Sequence, residues 1–115
     1  MNKLARIAWN WGAACFGEEH MTDPKTRSLR LVEEAIELCQ SVGVGEDLVR
    51  VVAADVYAKP RGEPIQELGG CFVTAGVMAF TLGSDPETVF EKEVTRCVLL
   101  PKEHFTDRNK TKRIA

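Results

Sequence analysis

The run from Leu68 to Leu82 carries no charged residue and is interspersed with Gly and Thr. It is too short for a membrane span, which takes about 20 apolar residues. The expectation is instead the central helix of a bundle, covered on most sides by other helices. Gly69, Gly70 and Gly76 would let neighbouring helices approach closely, at some cost in helix propensity. The flanks confine this helix. Lys59-Pro60-Arg61-Gly62-Glu63-Pro64 cannot be regular structure and reads as a loop. Ser84-Asp85-Pro86-Glu87 combines a capping pattern with a proline at a helix entrance, and the helix it opens runs to about Leu100, where Pro101 stops it.

The same periodicity extends to the N-terminal half. Leu4, Ile7, Ala8, Trp11 and Cys15 recur at helical spacing, which predicts a first helix over residues 3–16. Gly17 to Thr22 breaks that pattern, and Asp23-Pro24 opens a second helix with Leu31, Ala35 and Leu38 as its buried stripe. Gly43 and Gly45 end it, and a shorter helix follows over residues 46–57. Neither a strand alternation nor an internal repeat is present. The prediction is an all-α bundle of about four to five helices, a single domain over residues 1–101 with a basic tail over 102–115.

Composition narrows the class. A chain of 115 residues has room for one core, and 44% hydrophobic with 28% charged residues excludes wholesale disorder. A net charge of −2 argues against a general nucleic-acid binder. Arg6, Asn10, Gly12, Glu18 and Glu19 interrupt the first twenty residues, so no secretory signal is expected and the cytoplasm is the expected compartment. Cys15, Cys39, Cys71 and Cys97 contain no close pair of the kind a structural zinc uses; they read as buried free thiols in a reducing compartment.

Chemistry enters on the second helix. At about 100° per residue, Arg30, Glu33, Glu34 and Glu37 gather on the arc opposite the apolar stripe. Three carboxylates so close repel one another, and Arg30 offsets only part of that. A solvated acidic face is one reading. The other comes from Glu67, at the entrance of the uncharged helix: facing Glu34 and Glu37 across a helix pair, it would complete an oxygen-rich cage suited to Mg²⁺ or Mn²⁺.

Glu33-Glu34-Ala35-Ile36-Glu37 matches the Glu-Glu-x-x-Glu motif of MazG-like nucleoside triphosphate pyrophosphohydrolases. Gln66-Glu67-Leu68-Gly69-Gly70 resembles that family's second motif, Glu-x-x-Asp within a Glu-Leu-Gly-Asp run. Arg27-Ser28-Leu29-Arg30-Leu31-Val32 leads into the first motif and Gly62-Glu63-Pro64 into the second, so the resemblance covers roughly residues 16–98. It departs at Gly70, where the family places an aspartate. A phage-associated branch of the family carries a similar Glu-Leu-Gly-Gly run.

The resemblance implies an all-α fold, hydrolysis of a (d)NTP to the monophosphate and diphosphate, a homo-dimer or homo-tetramer, and Mg²⁺ or Mn²⁺ on Glu34, Glu37 and Glu67. The position left open by Gly70 falls to Glu33, the triphosphate, water or Asp55. A purine deoxynucleotide such as dGTP is the expected substrate. Glu33, Glu34 and Glu37 carry the catalytic roles, with Glu33 as the spare carboxylate for proton transfer. Departing diphosphate needs cations: Lys59 and Arg61 come first, then Lys102, Arg108 and Lys110 in the tail, with Arg30 beside the acidic face. Trp11 shares the apolar stripe and reads as core, whereas Trp9 lies off it and is placed to stack on a base or on another subunit. His20 reads as a solvated loop residue. A catalytically silent bundle that binds nucleotide or a protein partner is the alternative, and a nucleic-acid binder using the basic tail is disfavoured by the acidic remainder.

Overall fold

The computed structural model describes residues 1–112, and among them finds helices and no strands. In chain order they are α1 (Asn2–Phe16), α2 (Glu18–Thr22), α3 (Pro24–Ser41), α4 (Glu46–Tyr57), α5 (Pro64–Thr81), α6 (Pro86–Leu99) and α7 (Lys102–Lys110). The fold is all-α. Three starts share one chemistry, an acidic residue followed by proline. The Asp23 carboxylate accepts from the Lys25 N–H and the Thr26 hydroxyl, that of Glu63 from the N–H groups of Ile65 and Gln66, and that of Asp85 from the Thr88 N–H and hydroxyl. Each carboxylate satisfies donors that have no partner inside the helix, while the proline removes one such donor altogether.

These bonds hold two of the caps below the ordinary carboxylate range, Asp23 chiefly through the Thr26 hydroxyl and Asp85 chiefly through the Thr88 N–H. A depressed carboxylate contributes stability that is present above its unfolded pKa, about 3.9, and is lost as pH falls through the lower folded value. Asp23→Ala and Asp85→Ala are therefore expected to lower the thermal midpoint at pH 7. The gap to wild type should close below about pH 4, measured by circular dichroism melts with Asp47→Ala as a control.

Two helices were not expected. Gly17, at φ 88°, ends α1 and at once precedes α2, so the break in the pattern is a single residue wide. α2 holds because Met21 is buried against α1, where its Cε and Sδ occupy the space that a Cβ on Gly12 would need. α7 lies in what reads as a tail. One aromatic docks it, since Phe105 is buried with its ring 4.8 Å from that of Trp11, edge to face. The last tail residues, 113–115, lie outside the described residues.

Packing runs in a series rather than around a centre. α4 packs on α3, α3 on α2, α2 on α1, α1 on α6 and α6 on α5, with α7 also on α1; α5 touches neither α3 nor α4. The buried apolar residues are accordingly few: Cys15, Met21, Ala79, Val94 and Phe105. Three expectations are corrected by this arrangement. α5 is not covered on most sides; Val73 is 69% exposed and Phe80 67%. The apolar stripe of α3 is not buried either, with Leu31 and Leu38 exposed, and the side chains of Arg30 and Glu33 are the better covered ones. The four thiols are free, but only Cys15 is buried, and Cys71 is exposed because α5 is uncovered. No single helix among the described residues is long and apolar enough to cross a membrane.

Candidate functional site

The charged arc of α3 turns inward onto a cavity of about 630 Å³, bounded by α1, α2, α3, α6 and α7. This size suits a small organic ligand. One wall is aromatic, made by Trp11, Phe16, Phe90 and Phe105. Trp11 is the hub: its ring meets Phe16 at 5.8 Å and Phe105 at 4.8 Å, both edge to face, and Phe16 meets the His20 ring at 5.3 Å.

The same cavity is lined by four carboxylates, Glu33, Glu34 and Glu37 from α3 and Glu93 from α6, together with Arg27, Arg30, Arg96, Arg108 and Lys112. Their pairings differ. Glu33 accepts from Arg30 at 3.1 Å and from Lys112 Nζ, which reaches both of its oxygens from the segment behind α7. The Lys112 bond is the main cause that holds the Glu33 carboxyl below its usual range. Glu93 receives both arms of Arg96, at 2.7 and 2.9 Å, and is likewise lowered. Glu34 has no such partner among the described residues. Burial first, then the charges of Glu37, Glu93 and Glu33, push its carboxyl upward. Arg27 and Arg108 face the cavity with no carboxylate partner among the described residues.

Two buried donors point to a ligand. Arg27 Nη1 lies 3.2 Å from His20 Nδ1, and a guanidinium can only donate, so Nδ1 accepts and the proton sits on Nε2. Burial, with Arg27 and Arg30 adding to it, pushes the His20 pKa down, which keeps the ring neutral. His20 Nε2 and Trp11 Nε1 are both buried and find no acceptor among the described residues. Each unmet N–H costs about 1–3 kcal/mol, and both belong to side chains that line the cavity.

The sequence-derived candidates divide here. Arg30, Glu33, Glu34, Glu37 and Arg108 meet at the cavity, whereas Trp9, Lys59, Arg61, Glu67, Lys102, Lys110 and Asp55 do not line it. Glu67 stands exposed at the start of α5, beside Gly62, and α5 makes no contact with α3. Trp11, expected in the core, lines the cavity, and Trp9 stands exposed on the outer surface away from it. His20 is half-buried in the wall rather than solvated. Arg27, Phe90, Glu93, Arg96, Phe105, Asn109 and Lys112 were not anticipated. In sequence Glu93 and Arg96 look like an ordinary surface pair, and nothing local marks Lys112 as a partner of Glu33.

The donor set suits a hard divalent cation in chemistry: Glu34 is crowded by like charge that such an ion would relieve, and carboxylate oxygens are its preferred ligands. Among the described residues, however, no three His, Cys, Asp or Glu side chains are already grouped to hold one. Compared with models of known protein families, with curated proteins and with solved structures, the chain matches none.

Proposed function

We propose that the chain is a MazG-like, metal-dependent nucleotide pyrophosphohydrolase, converting a (d)NTP and water to the (d)NMP and diphosphate, with a purine deoxynucleotide such as dGTP favoured and the cytoplasmic nucleotide pool as its supply. The observation that carries the reading is the convergence on one cavity of the Glu-Glu-x-x-Glu face, a set of cations and an aromatic wall with two N–H groups that lack acceptors among the described residues.

The residues divide the work by chemistry. A base lies against Trp11, Phe16 and Phe105, with its ring-edge acceptors on Trp11 Nε1–H and His20 Nε2–H. Arg27 and Arg108 take the phosphates directly. Arg30 and Lys112 join them by exchanging Glu33 for phosphate oxygens, a trade between charge-assisted bonds of similar strength. Glu33, released by that exchange, accepts the proton of the attacking water as its oxygen bonds to the α-phosphorus and the bond to the bridging α–β oxygen breaks. The diphosphate leaves with the electron pair of that bond and is held by the cations. Glu34 and Glu37 would hold Mg²⁺ or Mn²⁺, which when bound neutralises phosphate charge and makes water more acidic. The parts that the resemblance gives to Glu67, Lys59 and Arg61 require the α4–α5 end of the chain to reach α3 by a route other than intrachain packing.

The test is diphosphate release from each of the eight common NTPs and dNTPs with Mg²⁺ or Mn²⁺, beside Glu37→Ala. Metal-dependent release that favours one base and is lost in the variant is the expected result. Folded protein that releases nothing supports the second reading, a silent bundle that binds nucleotide or a protein partner, which Gly70 in the aspartate position favours.

A further inference from the structure

The charges of the cavity are nearly balanced, and their pairing divides the cations into two sets. Five cations and four carboxylates line it, which leaves it one charge positive with His20 neutral. Lys112 and Arg30 are engaged by Glu33, and Arg96 by Glu93. Arg27 and Arg108 have no carboxylate partner among the described residues, so two guanidiniums face the cavity with no ion pair to break. A phosphate monoester carries about −2 at pH 7, the charge that these two match, and the guanidinium fork suits its oxygens. A triphosphate carries about two charges more, one for each added phosphate. Those charges exceed the unpaired cations, and the further supply is Lys112 and Arg30, whose partner Glu33 is only partly covered and can turn to water. The whole cavity gives the same count. A bound monophosphate leaves it about one charge negative and a bound triphosphate about three, and a divalent cation brings the second to the level of the first.

We infer that the cavity with its ion pairs intact is a metal-independent binding site for a nucleoside monophosphate, and that Lys112 sets the phosphate number by leaving Glu33 only for a longer chain. The inference rests on the nucleotide reading of the cavity. The base end is common to both ligands, on the aromatic wall with the Trp11 and His20 N–H groups. The phosphate end separates them, because only the longer chain draws Lys112 across from the carboxylate it holds through both oxygens. Lys112 reaches Glu33 from 79 positions away, so the segment behind α7 carries the selection. The consequence is regulatory. The monophosphate, product of the proposed reaction, fills the cavity while Glu33 stays engaged, and it competes with the triphosphate without needing metal. Glu33 becomes available for proton transfer only with a ligand that has an α–β bond to break.

Titration calorimetry of the full chain provides the test, with dGMP in EDTA and with the non-hydrolysable α,β-methylene analogue of dGTP in Mg²⁺. Wild-type protein is expected to bind dGMP equally well with and without metal, a readout that depends on no variant. Lys112→Met is expected to leave dGMP affinity within about twofold and to weaken the analogue at least about tenfold, the size of one charge-assisted bond. Lys112→Arg should restore the analogue's affinity. Arg108→Gln removes a cation that both ligands use and should weaken both by a similar factor. Lys112 is partly exposed and Arg108 exposed, so these variants keep the fold. Equal weakening of both ligands in Lys112→Met, or of neither, overturns the inference and leaves the nucleotide reading standing. So does dGMP that fails to bind in EDTA while the analogue binds in Mg²⁺. Wild-type protein that binds neither ligand overturns the nucleotide reading, and the inference with it.

Discussion

Glu34→Gln is expected to lower kcat/KM for diphosphate release by at least about a hundredfold while leaving the protein as stable as wild type or more so. The two effects share a cause. Glu34 sits on the cavity with Glu33, Glu37 and Glu93 around it, and both burial and those charges favour its neutral form. An acid whose folded pKa is raised costs the folded state stability once pH exceeds its unfolded value, about 4.3, and glutamine removes that cost with the same shape. A carboxylate kept charged where charge is unfavourable is the pattern of a residue retained for activity. Glu33→Gln supplies the contrast: it breaks the pairs with Lys112 and Arg30, so activity and stability should fall together. Calorimetry beside initial rates separates the cases. Full activity in Glu34→Gln would remove that carboxylate from the mechanism.

What was legible in the sequence was local. Asp23-Pro24 and Asp85-Pro86 mark helix starts because cap and proline act within one turn, and α3 and α6 begin there; Glu63-Pro64 carries the same signal but reads as the end of a loop, and the structure corrects this by starting α5 at Pro64. The acidic face of α3 was legible as a motif, and Glu33, Glu34 and Glu37 do share one cavity. Its direction was not. An apolar stripe reads as the buried side on the premise that the chain buries its own apolar residues, and α3 departs from this: Arg30 and Glu33 are the better covered side chains, while Leu38 is exposed and Leu31, also exposed, lines the cavity beside the charged groups. The same premise assigned α5 to a covered centre. Trp11 was assigned to the core from the stripe it shares with Cys15; that side of α1 meets both the core and the cavity, so the assignment was half of its situation. Lys112 and Glu33 are 79 positions apart, and such a contact leaves no periodic trace.

Phe105→Ala is expected to release α7 from the rest of the molecule without unfolding it. Deleting a buried phenylalanine side chain costs about 3–5 kcal/mol, and Phe105 is the one buried side chain of α7. The helix is Lys102–Lys110, short and otherwise polar, well below the length at which an isolated helix holds in water. α1 through α6 keep their own contacts, since α7 packs only on α1. Hydrogen exchange should therefore rise to nearly unprotected rates over residues 102–110 and stay near wild type in α1 and α6. Trp11, relieved of its ring partner at 4.8 Å, should emit at longer wavelength. The consequence reaches the cavity: Arg108, Asn109 and Lys112 leave its wall, and Glu33 loses the cation that does most to lower its pKa. With two cations withdrawn from the phosphates, each charge-assisted bond worth about 1.5–3 kcal/mol, nucleotide affinity should fall at least about tenfold. Phe105→Leu, which retains most of the buried volume, should fall between the variant and wild type on all three measurements. Unchanged exchange in α7 of Phe105→Ala would show that polar contacts alone keep the helix docked, and the basic wall of the cavity would then not depend on this aromatic anchor.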